Sequence, residues 1–290
     1  MRIAISAETT IDLPKSLLEE FDIHTLPFAL IMGEDQYMDG EVGKDDLYAF
    51  VKKTGQLPRT AAVNEFQFEE FFAELLKTHD EVVHFALSSK ISAAYKNAAS
   101  VAQKDEFKGK VHVIDTLSLS TGIALLAIYG SKLVKAGKTS EEIVSAVKER
   151  IPHDQTSFVL ETLDYLYKGG RCTALQRFGA NLLAIKPQII MANGSMSTGK
   201  KYRGNIERAI QAYVEDTLKE FPNFDPSLIF ITTTMDANKQ GIIETVRKRL
   251  EKEGFERIEV TTAGGTIACH CGPNTLGILY LNDGPHPITE

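Results

Sequence analysis

Short runs rich in β-branched and aliphatic residues alternate along this chain with longer blocks in which apolar residues recur at helical spacing. No other feature restricts the fold as much. A period of two fits a pleated strand and a period near 3.6 fits a helix with one buried stripe, so a repeated strand–helix order calls for a largely parallel sheet covered by helices. In the first half, strands are expected near residues 3–6, 23–30, 82–87 and 111–114, and helices near 14–21, 45–53, 65–77, 93–103 and 122–136. The apolar block at 122–130 is about half the roughly 20 residues a bilayer span needs and is followed by Lys132 and Lys135, so it reads as a buried helix of a globular protein.

At 290 residues the chain exceeds the usual single-domain size, and two domains are expected. A polar-faced helix over 140–150, then Pro152 and a polar stretch, places the boundary near residue 154. The expected fold class is α/β in two α/β domains. Residues 1–154 form a mostly parallel sheet with flanking helices, and residues 155–290 a mixed sheet with helices. The second sheet is read as mixed because Asn193-Gly194 between two strand patterns is a hairpin signal. Strands there are expected near 158–160, 187–192, 196–201, 228–232, 258–262 and 276–281, with helices over 205–221 and 238–253.

A net charge of −7 offers no broad basic surface, and with no tryptophan and scattered aromatics there is no base-stacking platform, so a nucleic-acid partner is excluded. Three cysteines, Cys172, Cys269 and Cys271, are too few for a disulfide framework. The first residues lack the apolar region of an export signal, so the expected location is the cytoplasm.

Three first-half loops share one design, in which a strand ends, small hydroxyl residues follow and a helix begins. They carry Ser6, Thr9 and Thr10; Ser88, Ser89 and Ser92; and Asp115, Thr116, Ser118, Ser120 and Thr121. Ligands of open α/β sheets sit beyond the carboxyl ends of strands, and hydroxyls converging there suit an anion, although each alone could simply cap its helix. The segment 264–272, GGTIACHCG, is the most unusual. Read as extended, it puts Cys269 and Cys271 on one face and His270 on the other, which argues against a Cys-His-Cys metal site and singles out His270. The KGGR at 168–171 reads as a glycine helix cap, Lys200, Lys201 and Arg203 as a solvated rim, and the GKT at 137–139 lacks the first glycine of a phosphate loop. There is no G-x-S-x-G elbow, but Ser92 and His270 could pair in space as a serine hydrolase or acyl transferase, with Asp115 the one acid in the grouped loops. A phosphate or small-polar-ligand module is a third reading.

Several segments together, PRT at 58–60, SSKISAAYKNA at 88–98, DTLSLSTG at 115–122, LDYLYKGGR at 163–171, IKPQI at 185–189 and HCGPNTLG at 270–277, resemble the bacterial DegV family of fatty-acid-binding proteins over nearly the whole length. The resemblance implies a non-enzymatic carrier with no cofactor or metal. A long-chain fatty acid would be buried at or near the domain interface, its carboxylate held by Thr60, Ser92, His270 and Arg203. It also implies a fatty acid kinase as partner, acyl phosphate formation feeding phospholipid synthesis, and transient membrane contact. The chain departs from the family pattern at Ala61, Ala93 and Ala94, where hydroxyls or glycine are usual, and at Ala7 and Glu8, where an Asp-Ser pair is usual. An unpaired carboxylate in an apolar pocket would protonate or be excluded, so the head group needs hydroxyl donors and a histidine able to become cationic.

Overall fold

In the computed structural model, which describes residues 1–171 and 185–286, the first half runs β1 (Ile3–Glu8), α1 (Lys15–Glu20), β2 (Ile23–Leu26), β3 (Ala29–Met32), β4 (Asp35–Met38), α2 (Lys44–Thr54), β5 (Arg59–Ala61), α3 (Glu65–Leu75), β6 (Glu81–Ala86), α4 (Ala94–Ala102), β7 (Val111–Asp115), α5 (Thr121–Lys135) and α6 (Ser140–Arg150). The second half continues with β8 (Asp154–Val159), α7 (Asp164–Gly169), β9 (Ile185–Ala192), β10 (Ser195–Arg203), α8 (Ile206–Glu220), β11 (Ile229–Thr233), α9 (Gln240–Glu253), β12 (Ile258–Thr262), α10 (Gly265–Cys271) and β13 (Leu276–Leu281). Cys172, one of the three cysteines, lies outside the described residues. Among them no helix is long and apolar enough to cross a membrane.

Strands β2-β1-β6-β7 form a parallel sheet, and β10-β9-β8-β13-β11-β12 a mixed one in which only β11 and β12 run parallel. The α/β class with a parallel and a mixed sheet thus agrees with the strand–helix alternation. The hairpin signal is realised, with Asn193 and Gly194 both at positive φ (51° and 82°) between antiparallel β9 and β10. One expected strand, 23–30, is two. Pro27 cannot donate to a ladder, so the chain leaves the parallel sheet after Leu26 and Ala29–Met32 joins a small antiparallel sheet, β4-β3-β5.

Helix α5 accounts for much of the core. Eleven of its fifteen residues are buried, and it touches β1 and β6 of the parallel sheet as well as β8 and β13 of the mixed sheet. Its apolar content on all sides is what a helix between two sheets requires. The approach is close at Gly122, where a Cβ would stand 2.1 Å from Ser118 Oγ and 2.2 Å from Thr156 Oγ1. One continuous apolar core therefore includes Ile5, Phe85 and Ile123 together with Phe158, Phe230 and Ile267.

The hydroxyl-rich loops at the carboxyl ends of β1, β6 and β7 are largely occupied by protein partners, which corrects their reading as an anion cradle. Ser88 Oγ donates to Gly194 O at 2.7 Å, the Ser118 and Thr156 hydroxyls lie 3.1 Å apart, and those of Thr121 and Thr232 lie 2.5 Å apart. They join the two sheets. At their centre Asp12, buried at 5% exposure, accepts from Ser120 Oγ and, at 2.8 Å, from the backbone N–H of Gly264 at the start of α10. Burial, opposed by those hydrogen bonds, pushes the Asp12 carboxyl up to about 8, so it is protonated at neutral pH. A folded-state value above the unfolded 3.8 means that its contribution is full below that pH and is lost as pH rises through about 8. Asp12→Ala, which orphans both donors, should lower stability by about 2 kcal/mol. Asp12→Asn keeps an acceptor for Gly264, so it should be nearly neutral at pH 7 and should flatten the loss of stability between pH 6 and about 8 in denaturant melts; a pH profile unchanged by the substitution would refute this account.

Candidate functional site

The segment 264–272, read as extended from its glycines and threonine, is helical over Gly265–Cys271. Its sequence has poor helix propensity, and tertiary contacts supply what is missing. Asp12 caps its first turn, Tyr48 Oη of α2 donates to Ala268 O at 3.4 Å, and the helix packs between α2 and α7. Helical spacing of about 100° per residue sends Cys269, His270 and Cys271 in three directions. Cys269 packs with Leu30 and Leu47 and Cys271 joins the large core. Burial pushes the Cys269 thiol up to about 12 and that of Cys271 higher still, so neither is a thiolate able to hold a metal.

His270 faces a cavity of about 180 Å³. Phe28, Leu87, Leu119, Leu166, Met196 and Ile267 give it apolar walls, while Thr60, Ser92, Arg171, Thr266 and His270 supply polar atoms. Leu119, Ile267 and Cys271 also line a second void of about 20 Å³ that is edged by Phe158 and Leu279. The polar groups gather at one place: Thr60 Oγ1 on β5 lies 3.2 Å from His270 Nε2. Of the three hydroxyl and imidazole residues singled out from the sequence, all line this cavity. Arg203 does not. It ends β10, exposed, with its backbone opposite Ile185, because the alternation of the hairpin carries it beyond the cavity wall.

The cation at the cavity is Arg171, which follows α7 and donates from Nη1 to Gly169 O at 2.7 Å. Its segment reads correctly as a helix cap, since Gly170 is left-handed (φ 68°) and donates to Tyr167 O. That explanation hid a second role. Gly169 is needed for a different reason, because a Cβ there would come 2.4 Å from His270 Nδ1. Two adjacent glycines thus serve the helix end and the histidine, and the residue after them brings the charge. Thr266, also missed, puts on this cavity a buried hydroxyl with no hydrogen-bond partner. Only the unusual doubling of glycine before a basic residue could have drawn attention to 169–171.

Burial, reinforced by the nearby Arg171 guanidinium, lowers the His270 imidazole from 6.5 to about 4. The ring is therefore neutral, which corrects the expectation of a cationic histidine. A neutral ring whose Nε2–H donates to Thr60 Oγ1 leaves the Thr60 O–H free to donate to a ligand. The Nδ1 atom is buried with no hydrogen-bond partner among the described residues. A serine hydrolase or acyl transferase built on Ser92 and His270 is not assembled. Ser92 Oγ accepts from Ala94 N at 3.2 Å, no carboxylate orients His270, and Asp115 accepts from the Ser89 and Leu117 backbone instead.

Two outcomes test this geometry. The His270 ring resonances should stay flat from pH 8 down to about 5, and because its folded-state value lies below the unfolded one, its contribution should be lost as pH falls from 6.5 toward 4. Gly169→Ala should displace the ring and weaken ligand binding about tenfold or more, with little change in the backbone fold; ligand affinity equal to the parent would overturn the packing argument.

Comparison with known proteins adds a family. The family model described as an uncharacterised protein of the DegV family matches residues 2–283. A DegV domain-containing protein of Caldanaerobacter subterraneus is 30% identical over 282 residues, covering 96% of this chain and 98% of that protein. A Thermotoga maritima protein named as a fatty acid-binding protein is 28% identical, with 96% of each chain covered. Among solved structures, a DegV family protein from Thermus thermophilus described by its fatty acid binding superposes with a TM-score of 0.88 at 25% identity, covering 97% of this chain and all of that one. A lipid-binding DegV protein from Thermotoga maritima superposes at 0.83 with 26% identity, covering 99% of this chain and all of that one.

Proposed function

The chain belongs to the DegV family, and on that premise we propose that it is a non-catalytic carrier that buries one long-chain fatty acid and presents its carboxylate to a fatty acid kinase for conversion to an acyl phosphate. The observation that carries this reading is a polar cluster on an otherwise apolar cavity: Thr60 against His270, with Ser92, Thr266 and Arg171 around the same space. A carboxylate needs donors where it leaves water, and an alkyl chain needs none.

The carboxylate accepts from the Thr60 hydroxyl, which His270 frees for the purpose, and from the Arg171 guanidinium. Ser92 and Thr266 complete the set. This assignment keeps Thr60, Ser92 and His270 and replaces Arg203 by Arg171. A neutral His270 beside Arg171 suits one negative charge better than two cations would, because a second buried cation would add a desolvation cost without a partner. The acyl chain runs past Leu119 and Ile267 toward the smaller void, into the apolar core shared by the two sheets. At roughly 0.8 kcal/mol per CH₂, a chain of about sixteen carbons contributes on the order of 12 kcal/mol of gross transfer energy, so the alkyl chain sets affinity and the polar cluster sets orientation. Residues 1–154 and 155–290 are read as the two domains between which it lies. Arg171 is exposed, which leaves the carboxylate end reachable by a kinase.

The test is extraction of lipid from denatured protein purified from cells, followed by mass spectrometry. One long-chain fatty acid per chain is expected. Finding none, together with no uptake of added palmitate or oleate, would refute the carrier. Arg171→Gln should weaken fatty-acid binding about tenfold, as expected for loss of one charge-assisted hydrogen bond, whereas Arg203→Gln should leave it unchanged. The opposite ranking would move the head group to the hairpin.

A further inference from the structure

We propose that Asp22, His24 and His79 form a binding site for one divalent transition-metal ion of the zinc class, at the amino edge of the parallel sheet. The site is separate from the acyl cavity, which lies beyond the opposite, carboxyl edge of the same strands.

The three residues come from two connections. Asp22 and His24 flank the start of β2, and His79 lies between α3 and β6; β1 runs between β2 and β6 in the sheet. Each offers one ligand atom, and these atoms all lie within 4.8 Å of one another. His24 Nε2 and Asp22 Oδ1 are 3.8 Å apart. Two ligands on one zinc ion, with bonds of about 2.0–2.2 Å, cannot be more than about 4.3 Å apart, and about 3.4 Å is usual in a tetrahedral site. With His24 and Asp22 at 3.8 Å and every pair within 4.8 Å, the three side chains need to close by about 1.4 Å at most, and the Asp22 side chain is exposed and free to move.

The histidines are prepared for such an ion in different ways. His79 Nδ1 lies 3.1 Å from Leu75 O and 3.0 Å from Thr78 Oγ1, contacts that fix the ring and leave Nε2 as its other ligand atom. A carbonyl fixing the far nitrogen is the usual support of a metal-binding imidazole. His24 Nε2 is buried and has no hydrogen-bond partner, an unmet need that a metal bond would satisfy. The two rings meet edge to face at 5.5 Å between centroids. The neighbouring Asp80 is already held by Arg2, through its backbone N–H at 2.8 Å and its guanidinium at 3.6 Å. Among the described residues this is the one group of three His, Cys, Asp or Glu side chains so gathered.

Two imidazoles and a carboxylate select zinc-class ions over magnesium or calcium, which prefer oxygen ligands, and three protein ligands leave room for water. Bound metal would clip the turn after α1 to the entry of β6 across β1. The full-length chain, stripped with chelator, should take up one Zn²⁺ by calorimetry, show Co²⁺ absorption bands in the visible range, and melt at higher temperature with Zn²⁺ but not with Mg²⁺. The double variant His24→Gln/His79→Gln should lose this uptake, and Asp22→Asn should weaken it about tenfold. No stoichiometric Zn²⁺ uptake by the parent chain would overturn the proposal, as would uptake and thermal shift retained by the double variant. If the double variant does not fold, Asp22→Asn decides, and an affinity equal to the parent's refutes the site. Fatty-acid binding should be the same with and without the metal, so failure here leaves the carrier reading untouched.

Discussion

The carboxyl of Asp12 is the joint on which the rest of the structure depends. It sits where the first strand of the parallel sheet gives way to its first loop, and it accepts from Ser120 at the start of α5 and from Gly264 at the start of α10. Those helices do different things. Helix α5 fills the space between the two sheets, and α10 presents His270 to the cavity. One buried acid therefore sets the register between the core and the functional side chain. Protonation in its buried surroundings removes the cost of an isolated charge there.

The hydroxyl-rich loops find their explanation in the same place. Beyond the carboxyl ends of β1, β6 and β7 an α/β protein usually receives its ligand, and the hydroxyl residues here sit at that edge. In this chain Ser88, Ser118 and Thr121 pair with the second sheet and its hairpin instead, and Thr9, Ser92, Thr116 and Ser120 bond within the first half. Pairs such as Ser118 with Thr156 and Thr121 with Thr232 satisfy polar groups that the approach of the two sheets would otherwise strand. The cavity lies to one side, where β5, α7 and α10 meet over an apolar hollow. Of the departures noted at Ala61, Ala93 and Ala94, only Ala93 lines that hollow, where Thr60, Ser92, Arg171, Thr266 and His270 supply the polar atoms.

The sheet edges divide the chemistry. Hydroxyls, Asp12 and the cavity occupy the carboxyl edge, and the imidazole pair His24 and His79 with Asp22 occupies the amino edge. Strand β1 is buried along its whole length between them.

Much of the fold was legible in the sequence because its physics is local. The β-branched alternation in 258–262, the apolar run in 276–281, the 3.6 period in 140–150 and the Asn-Gly turn at 193–194 each fix a backbone state within a few residues, and the two-sheet α/β architecture follows from their order. Pro27 was legible too, as a residue without a donor, but where the chain went after it depended on a distant partner, β5. The site was legible only as residue types. Thr60 and His270 lie 210 positions apart, and their 3.2 Å contact exists because α10 is helical against its own propensity, held by Asp12, Tyr48 and the walls of α2 and α7. Arg171 was concealed by a correct local explanation of its glycines, and which of Arg171 and Arg203 lines the cavity could not be read in one dimension. Sequence determined which segments pleat and which coil, since those preferences are written in neighbouring residues. Tertiary structure decided which polar atoms are left facing an apolar hollow, since burial and pairing are properties of residues that meet only when the chain is folded.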